Sequence, residues 1–217
     1  MNQTQCLPTL LIAIGAFLAG SIPFGLILMK LAGKGDVRAK GSGNIGATNV
    51  MRVGGKGLGI ATLVLDVLKG YLPVLVASQV GLGPVPAALV AVAAVAGHMF
   101  TPWLKFKGGK GVATALGTVL AYHPAMVLPA LAVFILCVLI FRFISLGSIL
   151  AAVTLVLTAL GVAGAWATLP VPPPQALWPP LCWTVIAALV IIKHHANIGR
   201  LLHGTESKFW GAKPSAK

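Results

Sequence analysis

Residues 85–123 read VPAALVAVAAVAGHMFTPWLKFKGGKGVATALGTVLAYH. This stretch joins two apolar runs, about 85–103 and 109–123, through a gap that carries three lysines, and it ends in a turn without charged residues. As a helix, the second run would reach only about 22 Å, whereas the hydrocarbon of a bilayer is about 30 Å thick. It is therefore the weakest candidate for a membrane span, but the charges around it suit a chain that crosses the bilayer there.

The same alternation of apolar runs and basic gaps extends over the whole chain. Of the sixteen Lys and Arg residues, all but Lys69 lie in every second gap, and the other gaps carry no Lys, Arg, Asp or Glu. Positively charged loops stay preferentially in the cytoplasm. We therefore predict an all-α, polytopic membrane bundle of seven transmembrane helices, with the N-terminus outside and the C-terminus cytoplasmic. The seven apolar segments lie at about 8–30, 57–80, 85–103, 109–123, 125–141, 145–168 and 176–193.

Composition supports this class. Of the 217 residues 58% are hydrophobic and only 9% charged, whereas soluble domains carry about 25% charged residues. No linker divides the chain, so we expect a single domain over 1–217 with cytoplasmic loops at about 31–56, 103–111 and 193–208. The net charge of +13 suits basic loops at a bilayer surface, and we expect no nucleic-acid partner. The three cysteines lack metal-ligand spacing, so we expect no metal and no other cofactor.

The first basic gap contains a polar loop, GSGNIGATN at 41–49, followed by Arg52. Glycines let backbone N–H groups turn inward around an anion, the Ser, Thr and Asn side chains add donors, and arginine offers a two-pronged contact to phosphate. The loop therefore predicts a phosphate site, with a flexible solvated loop as the alternative. The candidate ligands are Gly41, Ser42, Gly43, Asn44, Thr48, Asn49 and Arg52.

The second polar loop is KFKGGKG at 105–111, directly before an apolar helix. A glycine turn that opens a helix points free N–H groups at an anion, and the helix dipole favours negative charge there. A basic membrane anchor is the alternative. The candidate ligands are Gly108, Gly109, Lys110 and Gly111. His98 precedes this loop, and we expect it to be a helix-end or packing residue.

The third polar cluster is HHANIGR at 194–200, followed by Glu206. His194 and Asn197 are three residues apart and share a face if the segment is helical. A histidine can pass a proton or hold a phosphate near neutral pH. An interfacial anchor is the alternative, and a structural role is expected for Glu206.

Asp66 and Lys69 lie inside the second apolar segment, spaced so that they can pair on one helix face. Charges inside a membrane usually face an interior cavity. The pair therefore either locks helices together or forms a wall of the active site, and the spacing leaves both open.

Three runs resemble a known family. They are GSGNIGATNVMRVGGKG at 41–57, FKGGKGVAT at 106–114 and HHANIGRLLHGTESK at 194–208. In order and spacing they are similar to the three cytoplasmic motifs of the bacterial acyl-phosphate:glycerol-3-phosphate acyltransferases. The resemblance implies a multi-pass enzyme of the bacterial cytoplasmic (inner) membrane, with its active site on the cytoplasmic side. It implies transfer of a fatty acyl group from acyl phosphate to the 1-position of sn-glycerol 3-phosphate, giving lysophosphatidate and phosphate in the first step of phospholipid synthesis. We expect a monomer.

The resemblance also implies roles for single residues. Ser42 and Arg52 correspond to the essential serine and arginine of the first motif, and Gly108 to Gly111 to the glycerol-3-phosphate-binding loop. His194 and Asn197 correspond to the active-site pair of the third motif. Glu206 corresponds to its structural glutamate, and Ser148 to a polar contact on a neighbouring helix.

The chemistry expected of these residues is simple. Acyl phosphate is a mixed anhydride with a good leaving group, so the enzyme needs mainly to position two anions. The polar clusters lack a thiol and a recognisable nucleophile with its base, which favours direct attack by the glycerol hydroxyl without an acyl-enzyme. His194 would orient that hydroxyl or take its proton. A transporter of a phosphorylated solute and a structural protein that binds anionic lipid are the alternatives from other classes.

Overall fold

Every regular element in residues 3–167 and 178–209, the part of the chain that this computed structural model describes, is helical. Three short 3-10 turns accompany the α-helices, at Val37–Ala39, Pro102–Leu104 and Pro124–Met126. The α-helices are α1 (Gln3–Ser21), α2 (Phe24–Leu31), α3 (Ala47–Gly54), α4 (Lys56–Gln79), α5 (Pro84–Met99), α6 (Val112–Tyr122), α7 (Val127–Phe141), α8 (Ile144–Ala167), α9 (Trp178–Lys193) and α10 (His195–Leu202).

Five helical stretches are long and apolar enough to cross a membrane. A sixth is obtained if α9 and α10, which meet at an angle of 56°, count as one span. The remaining apolar segment, α6, has eleven residues and a length of about 16 Å. The prediction of an all-helical membrane protein is confirmed, whereas the count of seven spans stays a prediction. The five stretches are Gln5–Leu31, Lys56–Gln79, Pro84–Leu104, Pro124–Phe141 and Ile144–Ala165.

Two of the predicted segment boundaries differ from the structure. The fourth segment begins at Val112 rather than at residue 109, because Gly111 adopts a left-handed conformation with a φ of 79°. The first segment is broken at Pro23 into α1 and α2, since proline cannot continue a regular helix. The predicted limits at 168 and 176 lie outside the described residues.

Glycines allow the helices of the bundle to touch at the backbone. Gly20 of α1 and Gly97 of α5 lie against each other's helices, and so do Gly70 of α4 and Gly117 of α6. A Cβ on any of these four would overlap a backbone carbonyl of the partner helix. Small residues at helix contacts are typical of membrane proteins, where close packing replaces the hydrophobic effect. The short helix α6 is thereby held against α4, and this contact fixes the loop that precedes it.

Asp66 and Lys69 form an ion pair within α4, and both side chains are buried. Their Oδ1 and Nζ atoms are 2.7 Å apart. Lys69 Nζ also donates to the carbonyl oxygen of Ile22, at 2.8 Å, in the break between α1 and α2. The pair therefore ties α4 to a carbonyl that the Pro23 break leaves without a helical partner.

Candidate active site

Asn49 organises the first polar loop. Its side-chain Nδ2 donates to the carbonyl oxygens of Val37, Lys40 and Asn44, at 3.1, 3.1 and 2.9 Å. Its Oδ1 accepts from the backbone N–H of Ser42 at 2.8 Å. Because its amide is fully used in this way, Asn49 holds the loop closed around itself and is not available as a strong ligand.

The closed loop directs other side chains into a cavity. Thr48 and Arg52 are four residues apart on α3 and therefore share one face of it. Both line the cavity, and so does Ser42 from the turn before the helix. Arg52 also reaches the third polar segment, where its Nη2 donates to the carbonyl oxygen of Ser207 at 3.4 Å.

The glycines of the second loop pack on the end of α5. The N–H of Gly108 donates to the Met99 carbonyl at 3.2 Å, and the N–H of Gly109 to the His98 carbonyl at 3.1 Å. A Cβ on Gly109 would overlap the His98 imidazole. These two amides are therefore not free for an anion, which differs from the expected glycine turn, whereas Lys110 does line the cavity.

The third cluster is built around Glu206. Its Oε1 accepts from Ser145 Oγ at 2.7 Å and from Asn197 Nδ2 at 2.6 Å, and its Oε2 accepts from Arg200 Nε at 2.7 Å. Asn197 Oδ1 in turn accepts from Lys110 Nζ. One network thus joins the start of α6, the start of α8, α10 and the segment after it.

His194 lies at the bend between α9 and α10, and its side chain is buried against the cavity. Its Nδ1 is 2.7 Å from the carbonyl oxygen of Val190. Because a carbonyl can only accept, Nδ1 must carry the hydrogen. Nε2 of the neutral ring therefore keeps a free lone pair and can accept a proton.

Burial and neighbouring charges shift the pKa values of Lys110 and Glu206, which lie where the polar segments meet. The pKa of Lys110 is lowered to about 8, mainly by burial; Glu206 opposes this shift, and Arg200 and Arg52 add to it. Burial alone would raise the pKa of Glu206, but the hydrogen bonds from Ser145, Asn197 and Arg200 outweigh it and hold the pKa below its usual value. Glu206 is therefore an anion at neutral pH, beside a lysine that gives up its proton more readily than usual.

The cavity itself has two chemically different ends and a volume of about 830 Å³. The polar end lies where the three loops meet. The other end extends between α6, α7, α8 and α9 and is lined by aliphatic residues and Phe134. Such a volume is typical of small-molecule sites, and its two ends suit a molecule with a phosphate head and an apolar tail.

Comparisons with known proteins agree with this reading. The profile of a family described as "Glycerol-3-phosphate acyltransferase" matches residues 10–204. The chain belongs to this family.

Curated relatives and solved structures of the glycerol-3-phosphate acyltransferase family match almost the whole chain. The "Glycerol-3-phosphate acyltransferase" of Trichlorobacter lovleyi is 54% identical over 195 residues, which cover 90% of this chain and 94% of the relative. The one from Geobacter sulfurreducens is 49% identical over 200 residues, with 92% and 97% covered.

The crystal structure of PlsY, an integral membrane glycerol 3-phosphate acyltransferase, in its glycerol 3-phosphate form superposes with a TM-score of 0.83. Its sequence is 41% identical to this chain, with 94% of this chain and 96% of PlsY covered. The lysophosphatidic acid form gives 0.80 at 40% identity, with 93% and 95% covered. The expectation of a membrane acyltransferase of this family is confirmed.

The structure brings most of the sequence-predicted residues of this acyltransferase to the one cavity. Gly43, Gly108, Gly109 and Lys69 are the predicted residues that do not line it. In the part of the chain that is described, no group of three or more His, Cys, Asp and Glu side chains could hold a metal ion. The predicted residues that line the cavity are Gly41, Ser42, Asn44, Thr48, Asn49, Arg52, Asp66, Lys110, Gly111, Ser148, His194, Asn197 and Glu206.

Sequence reasoning missed other residues of the site. Ser145 and Arg200 both bind Glu206; Arg200 follows Asn197 by three residues in the third motif, a signal that could have placed it there. His98, expected only as a helix-end or packing residue, also lines the cavity, with its Nδ1 3.8 Å from Oδ1 of the predicted Asp66. Both expected roles of the Asp66–Lys69 pair are therefore compatible with the structure, and His98 supports Gly109 from below as a packing residue.

Proposed function

We propose that this protein transfers a fatty acyl group from acyl phosphate to the 1-hydroxyl of sn-glycerol 3-phosphate, giving lysophosphatidate and phosphate. The observation that carries the proposal is the single cavity, whose cationic end is continuous with an apolar end. Relatives named for glycerol-3-phosphate acyltransfer, and PlsY structures in glycerol 3-phosphate and lysophosphatidic acid forms, support the acceptor and the product. No metal or organic cofactor takes part.

The phosphate of the acceptor is bound by Arg52 and Lys110, with the hydroxyls of Ser42 and Thr48 as neutral donors. All four side chains line the polar end of the cavity. A hydrogen bond to a charged group contributes about 1.5–3 kcal/mol. Several such bonds together offset the repulsion between two phosphorylated substrates that share one site.

Asn197 and Glu206 position Lys110 rather than bind substrate. Asn197 accepts the Lys110 ammonium with its carbonyl oxygen and donates to Glu206 with its amide nitrogen. The order of the two amide atoms is thus fixed from both sides. Ser148 keeps an acceptor site at the cavity wall, because its own hydroxyl donates to the Ile144 carbonyl at 2.8 Å.

The reaction is a direct displacement at the acyl carbonyl. The bond from the glycerol 1-oxygen to the carbonyl carbon forms, the bond from that carbon to the phosphate oxygen breaks, and inorganic phosphate leaves. The hydroxyl proton passes to His194 Nε2 or to a phosphate oxygen of a substrate. The lack, among the described residues, of a base hydrogen-bonded to the Ser42 hydroxyl supports direct attack over an acyl-enzyme on Ser42.

The chain crosses the bilayer seven times, with α6 as the short fourth span, the N-terminus outside and the C-terminus in the cytoplasm. The alternation of charges supports this topology, since Lys105, Lys107 and Arg142 lie on one side and the turns near His123 carry none. The site then faces the cytoplasm from the inner membrane. One monomer, with residues 1–217 as a single domain, contains the complete site.

The proposal is tested by incubating purified protein with acyl phosphate and glycerol 3-phosphate in the presence of a chelator. Lysophosphatidate should form, and no product should form when acyl-CoA or acyl carrier protein replaces acyl phosphate. Lys110→Met should abolish the reaction, whereas Lys107→Met, an exposed lysine of the same loop, should retain it. Equal turnover with acyl-CoA, or a strict need for a divalent metal, would refute the proposal.

A further inference from the structure

We propose that Trp183 forms the floor of the apolar end of the cavity and sets the longest acyl chain that the enzyme accepts well. The inference rests on the proposed function, because it assumes that the acyl chain of acyl phosphate occupies this end. It adds a residue that determines specificity, far from the three polar loops.

The position of the floor follows from two cavities, one large and one small, that lie one after the other along the same helices. On α9, Ile186 lines the large cavity, and Trp183, three residues farther from the polar loops, lines a separate small void of about 20 Å³. On α8, Leu155 lines the cavity and Ala159, four residues on, lines the void. Residues three or four apart lie above one another on one helix face, so the void lies directly beyond the cavity.

The same succession occurs on α6, where Val119 lines the cavity and Tyr122 the void. The rings of Tyr122 and Trp183 meet edge to face, with their centroids 5.0 Å apart and their planes at 71°. Trp183 is completely buried. The aromatic pair therefore separates the large cavity from the small void.

Trp183 acts there through its volume. Its indole Nε1 is buried and has no hydrogen-bond partner among the residues that the structure describes. Buried indole N–H groups usually find a partner, so Trp183 contributes bulk here rather than a hydrogen bond. From Lys193, at the polar end of α9, to Trp183 the helix rises about 15 Å, which gives the order of length of a straight acyl chain between the polar loops and the floor.

Trp183 lies behind Ile186, the α9 residue that lines the cavity at this end, so an acyl chain longer than the cavity must bend aside or displace both side chains. A smaller residue would join the void to the cavity and make room for further methylenes. Each methylene that gains or loses its place in an apolar pocket changes kcat/KM about ten-fold or more. A larger residue above the floor should act in the opposite direction.

The test is competition between members of a homologous series of saturated acyl phosphates, with the ratio of kcat/KM for successive chain lengths as the readout. Trp183→Leu should shift the optimum to longer chains, by about ten-fold in that ratio, and Trp183→Phe by less. Ala187→Leu, which narrows the cavity just above the floor, should shift it to shorter chains. Trp178→Leu is the matched control, since Trp178 lies on the same helix with its side chain exposed, and it should shift nothing.

Failure of this inference and failure of the proposed function give different results. A parent enzyme that makes no lysophosphatidate from any acyl phosphate overturns the proposed function and, with it, the role of Trp183. A parent that does so, together with active Trp183 variants that keep its chain-length ratio, overturns only the role of Trp183. If Trp183→Leu does not fold, Ala187→Leu decides, and an unchanged ratio in that variant refutes the floor.

Discussion

Among single residues, Lys110 must be protonated to bind the phosphate of the acceptor. Burial lowers the pKa of this ammonium to about 8. The cation binds phosphate and the neutral amine does not, so kcat/KM for glycerol 3-phosphate should be constant below that pH and fall as pH rises through it. In Lys110→Arg, whose guanidinium stays charged, the residual activity should lose this alkaline limb. An unchanged limb in that variant would show that another group titrates.

The negative charge of Glu206 leads to a second prediction about a single residue. This charge raises the pKa of Lys110 and thereby opposes the effect of burial. Glu206→Gln keeps the side-chain shape but removes the charge, so the alkaline limb should move to lower pH. Lost charge-assisted hydrogen bonds should also cost about 1–3 kcal/mol of unfolding free energy. Asp36→Asn is the control, because Asp36 pairs with Arg38 outside the cavity, and both its pH profile and its activity should match the parent.

At the scale of the elements, the end of α5 couples two of the polar segments. The Met99 carbonyl accepts from the N–H of Gly108 and also from Lys193 Nζ, at 2.8 Å. Lys193 also lies over the Phe100 ring, 4.5 Å from its centroid. Lys193 directly precedes His194, and Gly108 lies two residues before Lys110. The Met99 carbonyl therefore fixes the position of His194 relative to Lys110.

Lys193→Met should therefore lower kcat, by roughly ten-fold for one lost charge-assisted hydrogen bond, with a smaller effect on the melting temperature. Lys193→Arg should recover part of the loss, since it can still donate to the carbonyl. Steady-state kinetics and thermal unfolding in detergent measure both effects. A variant that melts much earlier but turns over normally when folded would leave Lys193 a purely structural role.

The contact between α4 and α6 predicts a strong effect of one methyl group. A Cβ on Gly117 would overlap the Val67 carbonyl, whereas a Cβ on Gly161 of α8 would meet nothing within 4 Å. Gly117→Ala should destabilise the protein by about 1–3 kcal/mol, as overpacking does. Gly161→Ala should be neutral or slightly stabilising, because alanine favours helix. Equal melting temperatures for the two variants would contradict the close helix contact.

At the scale of the whole molecule, the topology can be tested by thiol labelling. In a variant without Cys6, Cys137 and Cys182, a cysteine at exposed Lys107 should react with an impermeant reagent only from the cytoplasmic side of the membrane. A cysteine at exposed His123 should react only from the opposite side. Labelling of both from one side would remove α6 as a span and with it the seven-helix topology.

Much of this architecture could be predicted from the sequence because its signals are local. The apolar runs and the charged gaps are contiguous in the chain, and the spacing of Asp66 and Lys69 suffices to predict their pairing. The amides of Gly108 and Gly109, in contrast, donate to carbonyls of α5, and the chain bends by 56° at His194, between α9 and α10. Contacts between distant segments, such as Tyr122 with Trp183, leave no periodic pattern, so the depth of the cavity could not be predicted.

In the proposed mechanism, one cavity holds both substrates at once and the acyl group passes directly between them. Initial rates measured over a grid of acyl phosphate and glycerol 3-phosphate concentrations distinguish this mechanism from a covalent one. Double-reciprocal lines that intersect are the predicted result, because both substrates must be bound before phosphate leaves. Parallel lines, the pattern of a covalent acyl-enzyme, would contradict it.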